Sequence, residues 1–278
     1  CEAHGLIVRD LYQDGRWHRC KTADHPKKYN GAYLFDGRRG VCRNWATMDG
    51  YAAYREDRAI TAPSIDFGRL KAQQAREEAQ RHAEASVQAD LMLSRAELLT
   101  HPYLVAKGFP LELGNVADGK LLIPMRDMRR YHFVNSVQTI DERGAKLFLK
   151  GGQAKGSVFI IGPKRGETWL CEGYATALSV RAALADLRRD VRVVVCFSAG
   201  NLLYVAQQWA PKDAWVMADN DVSEAGEQAA RATGLRWCMP PITGQDANDL
   251  HQQKGLRALV RVILTADDQT AFMQSRQA

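Results

Sequence analysis

The sequence lacks the features that mark membrane-spanning and disulfide-rich proteins. Its 278 residues contain no apolar run near the ~20 residues that a transmembrane helix needs, and no signal-peptide pattern opens the chain. The six cysteines are scattered, and no Cys-x2-Cys pair occurs. We therefore predict a cytoplasmic protein whose cysteines are free, buried thiols. Because the first residue is Cys1 and not Met, we also expect the chain to be a piece of a longer protein.

Paired zinc ligands are also lacking. Only Cys1 and His4 have the close spacing that a zinc ribbon uses. The residues that could complete such a site are Cys20, Cys42, His18 and His25. Since they form no second close pair, we expect no zinc.

Positive charge is concentrated in one segment. Residues 120–168 hold ten Lys and Arg against four Asp and Glu, an excess equal to the net charge of +6 on the whole chain. Short apolar runs separated by glycines predict an antiparallel sheet there. Such a cationic surface suits nucleic acid or a nucleoside triphosphate, although a solvated basic face has the same composition.

The first 62 residues have the pattern of a small strand-rich module. The runs RWHRCKT, GAYLFDG and GVCRNWAT are short and are separated by Gly, Asn and Asp turn signals. Aromatic residues alternate with cations, and the DNA-binding candidates are Trp17, Arg19, Arg43 and Trp45. Rings that stack on bases beside cations that meet phosphates are typical of single-strand binding surfaces. The same aromatics could instead form the core of so small a module.

A polar stretch follows this module. Between Arg69 and Leu99 there is no Pro or Gly, and Ala, Gln, Glu and Arg predominate, which predicts a helix. Its first half has little apolar face, so we expect an exposed helix that bridges two modules. We assign 1–62 to the strand-rich module, 63–100 to a helical linker, 101–168 to a basic subdomain and 169–278 to a further domain.

From Trp169 onward, strands alternate with helices. The predicted strands are TWLCEG, VRVVVCFS, AWVMADND and LRWCMPP, and each is followed by a helical segment. Short apolar strands in this alternation predict a parallel sheet covered by helices on both faces. Ligands of such sheets bind at the carboxyl ends of the strands.

Acidic residues lie at those carboxyl ends. Glu172 ends the first predicted strand, and Asp219 and Asp221 end the third. Because strand residues alternate between faces, the two aspartates can point the same way, where their like charges repel unless a cation lies between them. Helix capping explains Ser223 and Glu224 but not these three acids together. We therefore predict a Mg²⁺ site formed by Glu172, Asp219 and Asp221.

Four segments occur in the order of the motifs of the Toprim domain, which they resemble. They are CEGYATALSV, FSAGNL, VMADND…AGEQAA and PPITGQDANDLH. Toprim domains are the metal-binding modules of bacterial-type primases, topoisomerases and some nucleases. The motif sequences are most similar to those of the primases of phages, plasmids and conjugative elements, and the similarity runs from about Gly15 to Leu250.

The resemblance implies a fold class and an activity. The expected fold is α/β, with a Toprim-like parallel sheet flanked by helices and preceded by a basic mixed α+β subdomain and the small strand-rich module. The implied activity is that of a DNA primase, which synthesises short oligonucleotide primers on single-stranded DNA by divalent-metal-dependent nucleotidyl transfer. The implied setting is phage, plasmid or mobile-element replication.

The resemblance also implies roles for individual residues. Glu172 matches a general acid/base or metal ligand, Asp219 and Asp221 match the metal-binding pair, and Asp246 matches a further metal ligand, for Mg²⁺ or Mn²⁺. Nucleotide or template contacts are expected at Arg126, Lys146, Lys150, Gly173, Ser198, Asn201 and Asp249.

Expected partners are single-stranded DNA, nucleoside triphosphates and a replicative helicase or replication initiator, but no membrane. The chain has no G-x4-G-K-[ST] motif, so any helicase activity would lie beyond it. No motif marks the catalytic tyrosine of topoisomerases. Two other functions stay open: a Toprim nuclease that uses the same carboxylates, and a non-catalytic accessory that binds single-stranded DNA.

Overall fold

The computed structural model describes residues 1–55, 67–163 and 165–275. The chain divides into two compact units, Cys1–Arg76 and Glu77–Ala278. Each unit contains its own β-sheet. The boundaries predicted at 100/101 and 168/169 stay predictions, and the one at 62/63 lies outside the described residues.

The first unit is strand-rich, as predicted. After a 3-10 turn at Glu2–His4, its antiparallel strands follow one another in sequence order: β1 Leu6–Ile7, β2 Trp17–Thr22, β3 Gly31–Phe35, β4 Arg39–Asn44 and β5 Ala52–Arg55. One sheet face carries the core, in which Leu6, Cys20, Tyr33 and Cys42 are buried. All six cysteines of the chain are free thiols, as predicted, and five of them are buried, but Cys1 is exposed because it begins the chain outside the core.

The second unit is built on a ten-stranded sheet. Its strands are β6 Glu97–Leu99, β7 Gly114–Ala117, β8 Lys120–Asp127, β9 Val134–Ile140, β10 Lys146–Phe148, β11 Ser157–Ile161, β12 Glu167–Cys171, β13 Val191–Val195, β14 Trp215–Met217 and β15 Arg236–Cys238. Its main path runs β10-β9-β8-β11-β13-β12-β14-β15, and β7 pairs with both β6 and β8. The last four strands are parallel.

Seven helices accompany the sheets in the described part of the chain. They are α1 Phe67–Ser94, α2 Pro102–Ala106, α3 Tyr174–Asp186, α4 Ala199–Gln208, α5 Ala225–Thr233, α6 Ala247–Lys254 and α7 Leu256–Ser275. Residues 72–81 of α1 are exposed, as predicted for its first half, whereas Ala85 and Ala89 are buried. Ala89 packs on the β8–β9 hairpin through Leu122, Val134 and Val137. Of these helices, none is long and apolar enough to cross a membrane.

Helices cover both faces of the parallel strands. Trp169 and Cys171 of β12 pack with α3, α6 and α7, whereas Leu170 between them packs with α4 and α5. This alternation explains why the strands carry apolar residues on both faces. The predicted α/β class with a parallel sheet is thus confirmed, although α6 was not predicted.

Strand β11 joins the two halves of the sheet. It pairs antiparallel with β8 of the basic half and with β13 of the parallel half. The sequence predicted two neighbouring sheets and not this continuous one. One hydrogen-bonded ladder therefore connects the basic segment to the strands that carry the acids.

Candidate active site

The acids of the parallel half come from neighbouring strand ends. Strands β12 and β14 are paired so that Cys171 lies opposite Met217. Glu172 follows Cys171 directly, and Asp219 lies two residues beyond Met217. Both side chains therefore leave the sheet at the same carboxyl edge.

Asp246 reaches the same edge along a different path. The Asn220 amide donates to the carbonyl of Gln245 (3.0 Å), which ties the loop after β15 to the loop after β14. Asp246 follows as the N-cap of α6. Three acids from three segments thus approach the same edge of the sheet.

These three acids line one cavity of about 210 Å³. Its wall consists of Lys107, Gln138, Lys146, Glu172, Gly173, Ala175, Thr176, Phe197, Asp219 and Asp246. Cations and carboxylates therefore face each other in one small space. Such a charge distribution suits a ligand that carries both metal ions and phosphates.

The sheet must curve strongly to form this wall. Four strand spacings separate β9, which carries Gln138, from β12. Neighbouring strands lie about 4.8 Å apart, so a flat sheet would hold β9 and β12 about 19 Å apart. Because Gln138 and Lys146 share a cavity with Glu172, the β9–β10 end folds back over the strand ends.

Asp219 is the most perturbed acid of the cavity. Burial, and to a smaller extent the charges of Asp246 and Glu172, raise its pKa to about 7 against the opposing effect of Lys146. Its Oδ1 atom is buried and has no hydrogen-bond partner among the described residues. A buried acceptor without a donor costs free energy, which a bound cation would recover.

Glu172 is perturbed in the same direction. Burial and the charge of Asp221 raise its pKa, while Lys146 lowers it. Within the described part of the chain, its carboxylate takes part in no hydrogen bond or ion pair. It is therefore available to bind a ligand or to exchange a proton.

Asp221 occupies a different environment from Asp219. Its carboxylate accepts hydrogen bonds from the Ser223 hydroxyl (2.5 Å) and from the amides of Ala225 (3.3 Å) and Gly226 (3.2 Å). These bonds lower its pKa. Asp221 thus bonds to the first turn of α5 and lies outside the cavity wall, and its predicted role as a metal ligand beside Asp219 stays a prediction.

Gly226 allows α5 to lie against the backbone of Asp219. A Cβ added at this position would clash with the Asp219 carbonyl oxygen and would lie 3.2 Å from the Asp219 amide nitrogen. Only glycine permits this approach. The glycine after the ADND motif therefore fixes the position of Asp219.

Helix α6 positions a lysine that the sequence analysis missed. The Asn248 amide donates to the carbonyl of Lys107 (2.9 Å), and Gln252 donates to the carbonyl of Ala106 (2.6 Å). The Lys107 ammonium lies 3.9 Å from Asp249 and lines the cavity. No periodicity marks Lys107 in the sequence, because only the α6 contacts bring it to the acids.

Asp246 and Asp249 also form a capping box. Asp246 accepts the Asp249 amide (2.8 Å), and Asp249 accepts the Asp246 amide (3.3 Å). Each aspartate uses one oxygen in this exchange, since Asp246 accepts at Oδ1 and Asp249 at Oδ2. The second oxygen of Asp246 remains for the cavity.

The other predicted contacts separate into two groups. Lys146 and Gly173 line the cavity, and Gly173 is the N-cap of α3, whose first amides face an anion favourably. The structure places Arg126, Lys150, Ser198 and Asn201 outside the wall. Ser198 caps α4, and Arg126 lies 5.6 Å from the Tyr131 ring.

Asn201 has a structural environment. Its side chain accepts from the Gly156 amide (2.8 Å) and donates to the carbonyls of Ser157 (2.8 Å) and Cys196 (2.7 Å). All three bonds lie within the protein and tie α4 to β11. Contact with a nucleotide stays a prediction.

The donor set fits a hard divalent cation. Among the described residues, no three His, Cys, Asp or Glu side chains are grouped closely enough to form a complete metal cage. Mg²⁺ commonly uses one or two carboxylates and takes its other ligands from water and substrate phosphates. Asp219, with its unpartnered buried oxygen, and Glu172 meet that need.

The aromatic and cationic candidates of the first unit share one face of its sheet. Trp17 and Arg19 are two residues apart on β2 and therefore lie on the same face. Ala32 of β3 pairs with Arg19 on one side and with Arg43 on the other, so Arg43 lies on that face too. The Arg19 guanidinium lies 4.2 Å from the centre of the Trp45 ring, and that of Arg43 lies 5.8 Å from it. The face opposite the core thus carries all four candidates.

Comparisons with known proteins match part of the second unit to a family. The family model of the Toprim domain matches residues 167–257. The primase fragment of the bacteriophage T7 primase-helicase is 18% identical, with a TM-score of 0.41 over 58% of this chain and 69% of that chain.

A second solved structure is similar to the same degree. It contains the bacteriophage T7 lagging-strand DNA polymerase interacting with primase domains bound to an RNA/DNA hybrid and dTTP. The matched chain is 16% identical, with a TM-score of 0.41 over 62% of this chain and 91% of that chain. Independently of these two likenesses, the family match and the acids at the strand ends identify residues 167–257 as a Toprim domain.

Proposed function

We propose that the protein is a DNA primase, which joins nucleoside triphosphates into short primers on single-stranded DNA by divalent-metal-dependent nucleotidyl transfer. The observation that carries the proposal is the cavity of the second unit. There, carboxylates of the Toprim domain face two lysines that come from outside the matched segment. The proposed setting is the replication of a phage, plasmid or other mobile element, together with a helicase or initiator.

Asp219 and Glu172 are the residues that would hold the divalent ions, with Asp246 beside them. When bound, such an ion neutralises the triphosphate and makes the attacking 3′-hydroxyl easier to deprotonate. A Glu172 oxygen that is not bound to an ion would accept the proton of that hydroxyl as the hydroxyl oxygen bonds to the α-phosphate and pyrophosphate leaves. Asp221 acts indirectly, because its hydrogen bonds fix the turn that leads from Asp219 into α5.

The cationic wall binds the triphosphate. Lys107 and Lys146 lie in the cavity with the acids, and the N-terminus of α3 adds amides that favour an anion. The α6 contacts hold Lys107 in place through the backbone as well as through Asp249. Phosphates would therefore be bound between the two lysines and the ions.

The first unit would bind the template. Its Arg19, Arg43, Trp17 and Trp45 share one sheet face, which offers rings for bases and cations for phosphates. Single-stranded DNA fits this surface because unpaired bases can stack on exposed rings. Trp45 is 41% exposed and so accessible to them.

A synthesis assay tests the function. The protein is incubated with labelled nucleoside triphosphates, Mg²⁺ or Mn²⁺, and single-stranded DNA of several sequences. We expect new oligonucleotides from the wild type and at least a ~100-fold loss in Asp219→Asn and in Glu172→Gln, because removing one transition-state contact commonly costs that much. The matched control is Asp213→Asn, which changes an exposed aspartate outside the cavity.

The same assay separates the competing functions. Shortened template without new oligonucleotides would indicate a nuclease. DNA binding that needs neither metal nor the acids, without any product, would indicate an accessory protein. Wild-type synthesis by Asp219→Asn would contradict the proposed site.

A further inference from the structure

Phe197 has a backbone conformation that is unusual for a large side chain. Its φ is +70°, in the left-handed region that favours glycine. The other described non-glycine residues with positive φ are Asp118, Arg188 and Glu224, and none of them lines the cavity. Strained conformations of this kind persist where the surrounding structure holds them, commonly at ligand sites.

This conformation turns the chain at the end of β13. The amides of Cys196 and Phe197 donate to the carbonyls of Cys171 and Glu172, both at 2.8 Å, so the backbone stays paired with the segment after β12. The next residue, Ser198, already caps α4. Phe197 thereby lies in the wall of the cavity that Glu172 also lines.

A second ring, from the edge strand β10, contacts Phe197. Phe148 of β10 contacts it edge to face, with ring centres 6.3 Å apart and planes at 80°. Phe148 is 47% exposed, so much of its ring is free to contact a ligand. Lys146 lies two residues earlier on the same strand and therefore on the same face.

Gln138 adds a polar group to this corner. It lies opposite Phe148 in the β9–β10 pairing, is only 7% exposed, and lines the cavity. In the described part of the chain, its side-chain amide has no hydrogen-bond partner. This amide is therefore free to hydrogen-bond a ligand in the cavity.

We propose that Phe148 stacks on the base of a bound nucleoside triphosphate, that Phe197 supports this ring edge to face, and that the Gln138 amide hydrogen-bonds the edge of that base. The site rests on the proposed function, whose phosphate-binding lysines it extends. Lys146 and Phe148 supply a cation and a ring from one strand, which matches the phosphate and base ends of one nucleotide. The two phenylalanines then contribute affinity for any base, and Gln138 contributes selectivity.

Equilibrium binding without template tests the site. Nucleoside triphosphates and inorganic tripolyphosphate, which has no base, are titrated in Mg²⁺ into the full chain. We expect Phe148→Leu and Phe197→Leu to weaken nucleotide binding roughly tenfold and to leave tripolyphosphate binding unchanged. Phe197→Tyr, which keeps a ring, should bind as the wild type does.

Controls separate this result from a loss of folding. Phe133→Leu is the matched substitution, because Phe133 is 46% exposed and its ring contacts His132 and not Phe197. Phe197→Gly is a second test, since glycine accepts the positive φ without strain while removing the ring. It should fold and yet lose nucleotide affinity, and Gln138→Leu should weaken nucleotide but not tripolyphosphate binding.

Two results would overturn the base site. One is equal nucleotide affinity in the wild type and both leucine variants. The other is weakened binding of a single-stranded oligonucleotide with unchanged nucleotide binding, which would assign the rings to the template. Neither result depends on primer synthesis, so the base site can fail while Asp219→Asn still abolishes synthesis.

Discussion

Two charged regions of the molecule balance their charges in different ways. On the sheet face of the first unit, the guanidinium of Arg19 lies 4.2 Å from the Trp45 ring, and that of Arg43 lies 5.2 Å from the Tyr51 ring. In the cavity of the second unit, Asp219 is surrounded by further acids and keeps an unpartnered buried oxygen. The first region places its cations beside aromatic rings, whereas the second leaves a buried carboxylate oxygen among like charges.

The difference indicates which kind of ligand each region would bind. A cation above a ring remains stable and still leaves the surface able to contact phosphates. Buried like charges raise each other's pKa and destabilise the folded protein until a cation enters. We therefore expect the cavity to gain stability from its ligand, and the sheet face to gain little.

The largest effect should come from neutralising the buried acid. The pKa of Asp219 is about 7 in the folded protein and 3.8 ordinarily, so folding favours its protonated form. The penalty is absent at low pH, grows from about pH 4 to pH 7 and is constant above. In chelator, Asp219→Asn should stabilise the protein by up to about 4 kcal/mol at pH 8 and by less at pH 5, measured by urea unfolding.

Added Mg²⁺ should reduce the stability that Asp219→Asn gains over the wild type. Mg²⁺ stabilises the wild type but not Asp219→Asn, so the difference between them should shrink as Mg²⁺ is added. Asp213→Asn, at an exposed position, provides the control. A stability difference that did not change with pH would contradict the unbalanced cavity and remove the contrast with the first unit.

A smaller effect is expected from changing the position of Asp219 and not its charge. Gly226→Ala should destabilise the protein by about 2–3 kcal/mol and abolish synthesis, because the new Cβ meets the Asp219 backbone. Gly200→Ala is the matched control, since Gly200 is likewise the second residue of its helix and has open space around it. Thermal unfolding and the synthesis assay should separate the two variants.

Equal stability and activity in both alanine variants would show that the cavity tolerates movement of Asp219. The acids would then need no fixed backbone, and the cavity would be as adaptable as an exposed surface.

The smallest effect is expected at the first unit. Arg19→Gln and Arg43→Gln should each lower affinity for single-stranded DNA a few-fold and reduce the salt slope by about 0.7, without raising stability. Arg9→Gln, an exposed position off the strands, is the control. Binding of single-stranded DNA is measured from low to moderate salt. If both variants kept the wild-type salt slope, the assignment of Arg19 and Arg43 to phosphate contacts would be wrong.

The sequence predicted much of this architecture because the second half has strong local patterns. Apolar strands between helices predicted the parallel sheet, and the acids at strand ends predicted the edge where Glu172 and Asp219 lie. These signals are local, because each acid closely follows its strand in the sequence.

Long-range contacts explain what the sequence could not predict. Asp221 follows the same strand as Asp219, but the geometry of the turn directs its oxygens to α5. Lys107 reaches the cavity because residues about 140 positions later bind its loop. Phe197 looked like a strand residue, and its positive φ depends on the turn into α4.

The ladder through β11 has a consequence for how the protein can be divided. Phe159, Ile160 and Ile161 of β11 cover the side of β13 that carries Val193, Val194 and Val195. A recombinant fragment that began at Trp169 would leave this valine-rich strand bare. Bare strands of this kind recruit other chains and aggregate. The smallest piece able to carry the cavity in a well-behaved form therefore starts near Glu77 and includes the whole sheet.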